Sequence, residues 1–463
     1  MSFQIAIIGS GPSGCFLAEL LSRKIPDGQI DIIERLPTLF GLVRAGVAPD
    51  HQGTKNVTRQ FERTLEKDNI RVLANLTVGE DISFEALKSC YDIIIVATGA
   101  AEDNRLNIAG EDLDGVYGSS HFVGWYNANP DAHNPSNTNN TKKSIQLKGS
   151  AVAVIGHGNV ALDIARLLAK TPEERAATDI CQPALEQMNQ CIIDDIYLIG
   201  RGGPEQARFT PPELAELNDL SQALPVINAC VIPAEPSPEW EPREARAKQM
   251  NLDLFQQFSA NGVQIQAQAQ TAPATQTAAP VTQTTDKTRI HLLFWHQPKA
   301  ILGDAGRITH LELEQRLAGQ PPRRVTLPID TLISAIGYHS RSIKGLPFDN
   351  QLERIPHQNG LIEPGVYITG WARRGPTGVI PTNRADALEM SKRILSDIES
   401  GVLTPKQAPL VSIDTLIAEK GLQVVNYSQW QQLNQAEIAA AKDQKPREKF
   451  TSTQAMLAQI FGS

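Results

Sequence analysis

A glycine-rich turn near the start of the chain most constrains how this sequence can fold. A β-branched strand at Gln4–Ile8 runs into Gly9-x-Gly11-x-x-Gly14, a helical apolar stretch follows, and Glu34 ends the next apolar run. The first glycine of such a motif permits a tight turn, the second lets a pyrophosphate approach the backbone, and the third lets helix and strand pack closely. The helix N-terminus then faces the phosphates, and the acid binds ribose hydroxyls. This stretch therefore predicts a dinucleotide site.

Composition narrows the class of protein. The chain has 463 residues, enough for two or three domains with their own cores. Its formal charge of −8 argues against nucleic acid as the main ligand. No apolar run reaches the ~20 residues that cross a bilayer, and the first strand begins too early to leave room for a targeting peptide. We therefore expect a cytoplasmic protein with no membrane span.

The cysteines do not indicate metal or disulfide chemistry. They form no C-x-x-C pair and lack the spacing of zinc or iron–sulfur ligands. We therefore expect no metal site and mostly core thiols, with a free surface thiol as the alternative. The cysteines are Cys15, Cys90, Cys181, Cys191 and Cys230.

A second glycine-rich turn predicts a second nucleotide. Strand Ala151–Ile155 leads into Gly156-x-Gly158-x-x-Ala161, and a helix-forming run follows. The next strand ends at Arg201, where an NAD site would carry an acid. An arginine there favours the 2′-phosphate of NADP, although it could also be a solvated loop residue.

The two turns together indicate hydride exchange. The first, with Glu34, suits NAD or FAD, and the second suits NADP. Two nicotinamides would give only transhydrogenation, so we expect FAD at the first turn. A reduced flavin needs positive potential beside its ring, which N–H groups of the turn Gly375–Ile380 could supply at the start of a helix. Trp371 could wall the ring or be an ordinary core residue.

The order of strands predicts an α/β fold with two doubly wound, Rossmann-like dinucleotide-binding domains, the NADP domain inserted into the FAD domain. Runs at Tyr91–Thr98 and Thr331–Ile336 end in small residues and could mark the crossings between them. Further elements are expected as a strand at Gly365–Ile368 and helices over Thr382–Glu399 and Gln429–Lys442. The expected domains are 1–105 and 333–403 for FAD, 106–332 for NADP, and a tail, 404–463, that packs on the FAD domain.

Two polar segments are poor core material. Residues 127–140 are rich in Asn and Pro, and residues 264–288 are rich in Gln, Ala and Thr. We expect both to be surface loops, the second of them mobile. Within the tail, Lys406–Val425 should hold a strand or a short helix.

Several long motifs occur in the order typical of one family. They are GSGPSG, FGLVRAGVAPDH, GHGNVALD, GRGGPEQARFT, IGYHSRSI, GWARRGPTGVI and KPREKF. On these motifs the chain resembles the adrenodoxin reductase type of ferredoxin–NADP(+) reductase over essentially its whole length. The resemblance implies FAD in the first domain, NADPH in the inserted domain, and single electrons leaving to an iron–sulfur protein or flavodoxin.

The resemblance also implies site residues by matching position. The FAD contacts are Gly9, Gly11, Ser13, Gly14, Glu34, Leu42, Val78, Trp371, Gly378, Val379 and Ile380. The NADP contacts are Gly156, His157, Gly158, Asn159, Val160, Arg201, Glu213 and Gly378. Glu213 could accept ribose hydrogen bonds or be a solvated acid at a helix start.

One position departs from the family pattern. The family carries two consecutive arginines at the 2′-phosphate, and here Gly202 follows Arg201. Arg208 stands where the family commonly has a small residue. We hypothesise that Arg208 turns inward and replaces the second guanidinium; the alternative is a weaker phosphate clamp and looser selectivity for NADP.

No acid–base catalyst is obligatory, because hydride transfer needs stacked rings and excluded water. The resemblance places His51 and Asp163 near the ring, which makes them candidates for proton handling. His51 could equally be a structural hydrogen-bonding residue, and Asp163 could face solvent on its helix.

A partner of ferredoxin type is acidic and needs a basic docking face. Candidate cations are Arg243, Arg246 and Lys248 in one helical stretch, and Arg373 and Arg374 beside the flavin turn. A solvated charged face is the alternative for both groups.

The function expected from all this is an FAD enzyme that passes hydride between NADPH and FAD, and single electrons to or from a ferredoxin or flavodoxin. An NADPH-dependent flavin oxidoreductase acting on a small acceptor such as a quinone is the alternative enzyme. A non-catalytic flavin-binding module is the third possibility, and the two complete nucleotide signatures argue against it.

Overall fold

The computed structural model describes residues 2–133, 144–227, 232–270, 287–406 and 411–462, with the side chains of 262–270 left out. These residues form two compact units. The first comprises Met1–Glu102, Asn127–His133 and Gly337–Ser463, and the second comprises Asp103–Tyr126 and Asn134–Ile336. Among the described helices, none is both long and apolar enough to cross a bilayer.

The elements of the described residues follow in chain order. The strands are β1 (Gln4–Ile8), β2 (Gln29–Glu34), β3 (Ile70–Ala74), β4 (Ile93–Val96), β5 (Glu102–Asp103), β6 (Val116–Gly118), β7 (Ala151–Ile155), β8 (Asp195–Ile199), β9 (Ala223–Val226), β10 (Thr288–Leu293), β11 (His296–Asp304), β12 (Arg307–Gln315), β13 (Arg323–Pro328), β14 (Thr331–Ser334), β15 (Tyr338–His339), β16 (Leu361–Glu363) and β17 (Val366–Ile368). The α-helices are α1 (Pro12–Lys24), α2 (Leu42–Ala45), α3 (Gln52–Lys55), α4 (Thr58–Leu65), α5 (Phe84–Cys90), α6 (Ser119–Tyr126), α7 (Pro130–His133), α8 (Asn159–Ala169), α9 (Pro172–Ala176), α10 (Gln182–Gln190), α11 (Pro211–Ala215), α12 (Pro242–Gln270), α13 (Trp371–Arg374), α14 (Ile380–Glu399), α15 (Ile413–Glu419), α16 (Tyr427–Ala439) and α17 (Thr453–Phe461).

The first unit is built on a six-stranded sheet of order β16-β17-β4-β1-β2-β3. All its neighbours pair in parallel except β16 with β17. Its central strands are nearly continuous Ile and Val, as expected where helices cover both faces. One core, around Ile5 and Ile7, includes residues of α1 and α14, and the opposite core, around Ala6 and Ile8, includes residues of α5.

The second unit has its own six-stranded, wholly parallel sheet of order β6-β14-β7-β8-β10-β9. An antiparallel sheet, β11-β12-β13, accompanies it and shares a core around Ala153, Ile301 and Leu311. In each unit a central strand, β1 or β7, runs through a glycine turn into a helix. The predicted α/β class with two doubly wound units is confirmed.

The units change over at Glu102/Asp103 and at Ile336/Gly337. The sequence placed these boundaries at 105/106 and 332/333, and it assigned the whole stretch between them to one domain. The structure instead returns Asn127–His133 to the first unit. The predicted surface loop at 127–140 is therefore wrong for its first seven residues: Asn127 is buried, and α7 follows. Residues 134–143 lie outside the described residues.

The second predicted loop also begins too early. Helix α12 continues to Gln270, and β10 starts at Thr288, so residues 264–270 are helical. Residues 271–286 lie outside the described residues, and the expected mobility concerns them. In the tail, the expected strand or short helix is the helix α15.

The tail belongs to the core of the first unit. Trp430, Leu433 and Met456 are buried in the same cluster as Ile5 and Leu17. The thiols of Cys15, Cys90 and Cys181 are buried, whereas Cys191 is partly exposed and Cys230 lies outside the described residues.

Candidate functional site

The first glycine turn contains two glycines that the protein itself requires and one that it does not. A Cβ on Gly9 (φ +113°) would lie 2.5 Å from the Ala97 carbonyl oxygen, and one on Gly14 would lie 2.1 Å from the Gly9 oxygen. At Gly11, where φ is −71°, the nearest atom to such a Cβ is 4.0 Å away, the Cα of Gly41. Neither strain nor crowding demands glycine there, so the bare backbone faces open space, as a pyrophosphate site requires.

Glu34 ends β2 beside this turn. Its Oε2 accepts hydrogen bonds from the Ser10 N–H (3.0 Å) and the Ser10 hydroxyl (2.7 Å), and its Oε1 accepts from the Leu36 N–H (3.1 Å). A carboxylate offers about four acceptor positions. Glu34 therefore braces the turn and keeps acceptor capacity for a ribose hydroxyl.

Ser13 faces inward. Its hydroxyl donates to Asn383 Oδ1 on α14 (3.0 Å), and the residue is buried. The first intrahelical hydrogen bond of α1 runs from the Cys15 N–H to the Gly11 carbonyl (3.0 Å). The N–H of Ser13 lies in the first turn of α1, before that bond, where backbone N–H groups have no partner within the helix. Ser13 would therefore bind an anion through this main-chain N–H and not through its hydroxyl.

The remaining predicted FAD contacts differ in exposure. Leu42 begins α2 and is exposed, whereas Val78 is buried in the loop after β3. Trp371 begins α13 and is half-buried, its indole N–H donating to the Thr377 carbonyl (3.0 Å). Its ring stacks on that of Tyr338, with centroids 6.4 Å apart and the two planes inclined by 28°. Trp371 is therefore held in orientation with part of its surface open.

The turn Gly375–Ile380 leads into α14. Gly378 has φ +81°, a conformation that favours glycine, and a Cβ there would press on the Thr382 side chain. The Val379 side chain is 56% exposed, while its N–H donates to Thr382 Oγ1 (3.2 Å). The turn thus presents an apolar side chain outward, and this N–H group is engaged within the turn.

Arg373 and Arg374 do not form the expected docking face. Arg373 donates to Asp386 Oδ1 (2.8 Å) and to Glu389 Oε1 (2.6 Å). Arg374 donates to Asp386 Oδ2 (3.2 Å) and to Asn383 Oδ1 (2.9 Å). Their side chains are 15% and 19% exposed, so these cations fasten α13 to α14 instead of facing a partner.

The second glycine turn repeats the pattern of the first. A Cβ on Gly156 (φ +140°) would lie 2.3 Å from the Ala335 carbonyl oxygen. Around Gly158, with φ −127°, no described atom comes within 4 Å of such a Cβ. Ala161 takes the third position and is buried. A second stretch of bare backbone therefore opens outward at the start of α8.

A following segment is hydrogen-bonded to this turn. The Arg208 N–H donates to the His157 carbonyl (2.7 Å). The Asn159 amide donates to Thr210 Oγ1 (3.2 Å), and the Thr210 N–H donates to Asn159 Oδ1 (2.9 Å). Val160, the next residue of α8, is partly buried. Arg208 is thereby fixed beside the glycine turn.

His157 packs beside the second glycine turn as an uncharged ring. Its ring packs against Phe209 and Phe294, and its Nε2 lies 3.1 Å from the Leu198 carbonyl oxygen. Burial lowers the pKa of His157 to about 4, so the imidazole is neutral at pH 7. Positive charge for a nucleotide phosphate must come from other residues.

Arg201 and Arg208 are both exposed after β8. Between them, a Cβ on Gly202 would lie 2.8 Å from the Gln206 Cβ. Gln206 is held there because its Oε1 accepts from the Gly203 N–H (2.9 Å). A side chain at position 202, such as a second arginine, would therefore have to displace Gln206.

The two candidates for proton handling lie in different units. His51 precedes α3 in the first unit and is partly exposed. Asp163, on α8 in the second unit, accepts from Arg166 Nη2 (2.8 Å) and is 16% exposed, so it does not simply face solvent. Glu213 lies in the first turn of α11 and is partly buried, whereas Gly378, expected at both nucleotides, belongs to the first unit.

Sequence reasoning missed a residue that braces the first turn and a buried ion pair of the first unit. The Ser10 hydroxyl links Glu34 to the Phe40 N–H (3.1 Å), and it could have been found as the polar residue between two motif glycines. Arg44 donates twice to the fully buried Glu437 (2.8 and 2.5 Å). No local signal marks that pair, because 393 residues separate its members.

Comparison with known proteins places the chain. Residues 3–197 match the family model described as pyridine nucleotide-disulphide oxidoreductase. The mitochondrial NADPH:adrenodoxin oxidoreductase of Arabidopsis thaliana is 33% identical over 98% of this chain and 95% of its own length. The NADPH-ferredoxin reductase FprA of Mycobacterium leprae is 33% identical over 98% of this chain and 97% of its own length.

A solved structure agrees with these relatives. Mycobacterium tuberculosis FprA in complex with NADPH superposes with a TM-score of 0.84 at 32% identity, and the match covers 100% of both chains. The resemblance drawn from the motifs is thereby confirmed. The chain belongs to the adrenodoxin reductase type of ferredoxin–NADP(+) reductases.

Proposed function

We propose that this protein is an FAD-containing ferredoxin–NADP(+) reductase. It passes hydride between NADPH and FAD and exchanges single electrons with an iron–sulfur carrier. The observation that carries the proposal is the pair of glycines, Gly11 and Gly158, that the protein does not need for its own packing or backbone geometry. Each leaves bare backbone at the start of a helix, in a chain whose relatives are named for NADPH and adrenodoxin or ferredoxin.

The first unit holds FAD. The N–H groups at the start of α1 face the pyrophosphate across Gly11, and Glu34 accepts from a ribose hydroxyl. The exposed side chains of Leu42 and Val379 offer apolar contact to the ring, and Trp371, fixed by its bond to Thr377, offers a flat face.

The second unit holds NADPH. Gly158 and the start of α8 receive the pyrophosphate, with the neutral His157 packed beneath the turn. Arg201 and Arg208 supply positive charge for the 2′-phosphate, and Glu213 accepts from ribose hydroxyls. The absence of an acid at the end of β8 removes a group that would repel that phosphate.

When bound, FAD would accept one hydride, that is two electrons and a proton, and would release the two electrons singly, which is the chemistry the polypeptide cannot supply. The chain contributes binding, orientation and exclusion of water, so no side chain is required as an obligatory acid or base. His51 and Asp163 remain candidates for proton handling.

The electron carrier is a ferredoxin or flavodoxin with an acidic surface. The cations that remain from the predicted docking groups are Arg243 and Arg246, both exposed on α12, and the partly exposed Lys248 on the same helix. Steep loss of ferredoxin reduction with rising salt would support docking there, and a flat response would exclude it. The cytoplasmic location expected from the sequence stays a prediction, to be tested by cell fractionation.

The decisive experiment starts with the purified protein. We expect a yellow flavin spectrum that NADPH bleaches more readily than NADH does, ferricyanide reduction with NADPH, and reduction of ferredoxins or flavodoxins from the same cell. A colourless preparation that cannot be reconstituted with FAD would refute the proposal. Ferricyanide reduction without transfer to any carrier would favour a small-molecule acceptor.

A further inference from the structure

The second unit carries a lysine whose position is not explained by a docking role. Lys248 lies on α12, and its Nζ donates to the Ala207 carbonyl (2.9 Å). The same Nζ sits 4.9 Å from the centre of the Trp240 ring. The residue is only partly exposed, unlike Arg243 and Arg246 on the same helix. A solvated docking cation would not be held in this way.

One peptide group connects Lys248 to the glycine turn. The carbonyl of Ala207 accepts from Lys248, and the N–H on the other side of that peptide, from Arg208, donates to the His157 carbonyl (2.7 Å). The carbonyl of Phe209, two residues after Ala207, accepts a hydrogen bond from the side-chain amide of Asn251 on α12 (2.9 Å). Helix α12 therefore fixes the extended segment that carries Arg208.

This arrangement bonds Lys248 to the residue that directly precedes Arg208. Arg208 acts on Lys248 through the like charge, and burial together with that charge lowers the lysine pKa, against the opposing effect of Glu244 and Glu205. Glu205 is already engaged, because it accepts from the Ser237 N–H and hydroxyl. Like charges held close by a fold are unfavourable alone and favourable around an anion.

We propose that Lys248 is a third cation of the 2′-phosphate site, acting with Arg201 and Arg208 where Gly202 stands in place of a second consecutive arginine. This inference rests on the proposed use of NADPH. An ammonium has three donors, and Ala207 takes one of them, so donors remain for a phosphate oxygen. Lys248 is thus a residue that determines specificity for the phosphorylated coenzyme, with no part in hydride transfer.

The test uses the purified holoenzyme and two probes, 2′,5′-ADP and 5′-AMP, which differ in the 2′-phosphate. Lys248→Gln removes the charge and keeps an N–H donor on a side chain one bond shorter, and Lys248→Arg keeps the charge. We expect Lys248→Gln to weaken 2′,5′-ADP by about tenfold or more and 5′-AMP by less than about twofold. Lys248→Arg should retain most of the affinity, and Lys148→Gln, at an exposed lysine of the same unit, should change neither.

Each other outcome contradicts the inference in its own way. Equal losses for both probes would show that Lys248 only supports the segment. Unchanged binding of 2′,5′-ADP would show that it does not reach the phosphate. If the wild-type protein shows no preference for 2′,5′-ADP, both the proposed coenzyme and this inference are wrong. If the wild-type protein shows the preference but Lys248→Gln has no effect, only this inference is wrong and the proposed function stands.

Discussion

The glycine turns of the two units solve the same steric problem and differ in what surrounds them. In both, the first glycine has positive φ and lies against the carbonyl of a neighbouring segment, Ala97 in one and Ala335 in the other. In both, the second glycine faces open space. The first glycine is fixed by the close approach of a neighbouring carbonyl, whereas at the second no described atom comes closer than 4 Å to an added Cβ.

The third position separates them. Gly14 has no room for a methyl group, whereas Ala161 carries one in the buried interior. The strand that follows also differs: β2 ends in Glu34, which braces its own turn through Ser10, and β8 is followed by Arg201. The second turn is braced instead by Asn159 and Thr210. The two turns therefore differ in internal support, which comes from Ser10 and Glu34 in the first and from Asn159 and Thr210 in the second.

The largest effect is expected at the third position. Gly14→Ala should destabilise the first unit by about 3 kcal/mol, because its Cβ would lie 2.1 Å from the Gly9 carbonyl oxygen. Ala161→Gly, the matched change in the second unit, should cost only about 1 kcal/mol from helix propensity. Thermal unfolding of both variants measures this. Equal small losses would show that the two turns are interchangeable at this position.

The second glycines should respond in function and keep the fold. Gly158→Ala should leave the unfolding temperature nearly unchanged, since its Cβ meets no described atom, and should raise the KM for NADPH roughly 10-fold to 100-fold. Gly11→Ala should instead lower flavin retention. Steady-state kinetics and flavin content distinguish the two, and normal NADPH kinetics in Gly158→Ala would contradict the assignment of the second turn.

Arg208 should govern coenzyme preference with a smaller effect. Arg208→Ala removes one cation beside the second turn and should reduce the ratio of kcat/KM for NADPH over NADH by about tenfold. The main-chain bond from position 208 to His157 does not depend on the side chain and should persist. An unchanged ratio would mean that Arg208 does not replace the arginine excluded at Gly202.

The smallest effect is expected at a cross-strand ion pair, of which each of the two six-stranded sheets has one. Asp31 faces Arg71 across β2 and β3, and Asp195 faces Arg289 across β8 and β10. Burial alone would raise the pKa of Asp195, but hydrogen bonds from His291 and Arg289 outweigh it and lower the pKa to about 2. Its stabilisation is therefore present above about pH 4 and is lost as the pH falls toward 2.

Asp195→Asn should consequently cost about 1–2 kcal/mol at pH 7, and the gap to wild type should narrow below pH 4. Denaturant unfolding across that pH range measures it, with Asp304→Asn, at an exposed position, as the control. If the difference in free energy of unfolding between Asp195→Asn and the wild type stays constant with pH, the effect comes from the hydrogen bonds and not from the ionisation of Asp195.

The sequence was sufficient where the determinants are local. The strand–glycine–helix units, the ends of β1, β7 and β8, and Glu34 beside the first turn follow from residues within one βαβ stretch. The sequence alone could not decide whether Trp371 is a core residue or a residue that lies against the flavin ring, because its partial exposure depends on contacts with Tyr338 and Thr377.

Long-range pairing explains the errors. The polar residues from Asn127 look like a surface loop, but the Asn127 amide donates to the Val47 carbonyl (3.2 Å) and its Oδ1 accepts from Lys449 (3.1 Å). Likewise, Arg373 and Arg374 look like free charges in the sequence, but Asp386 on the next helix pairs with both and Glu389 pairs with Arg373. Composition counts charges and amides, and it does not show which of them are paired.

The bond between Arg44 and Glu437 has a consequence for biogenesis. During translation Arg44 is synthesised long before Glu437. Until Glu437 is made, the Arg44 guanidinium lacks the carboxylate that neutralises it in the finished protein. The six-stranded sheet of the second unit lies entirely within Val116–Ser334 and is synthesised in full before that moment. All strands of the inserted sheet are therefore synthesised before the carboxylate that pairs with Arg44, and a chain truncated before residue 437 lacks that partner.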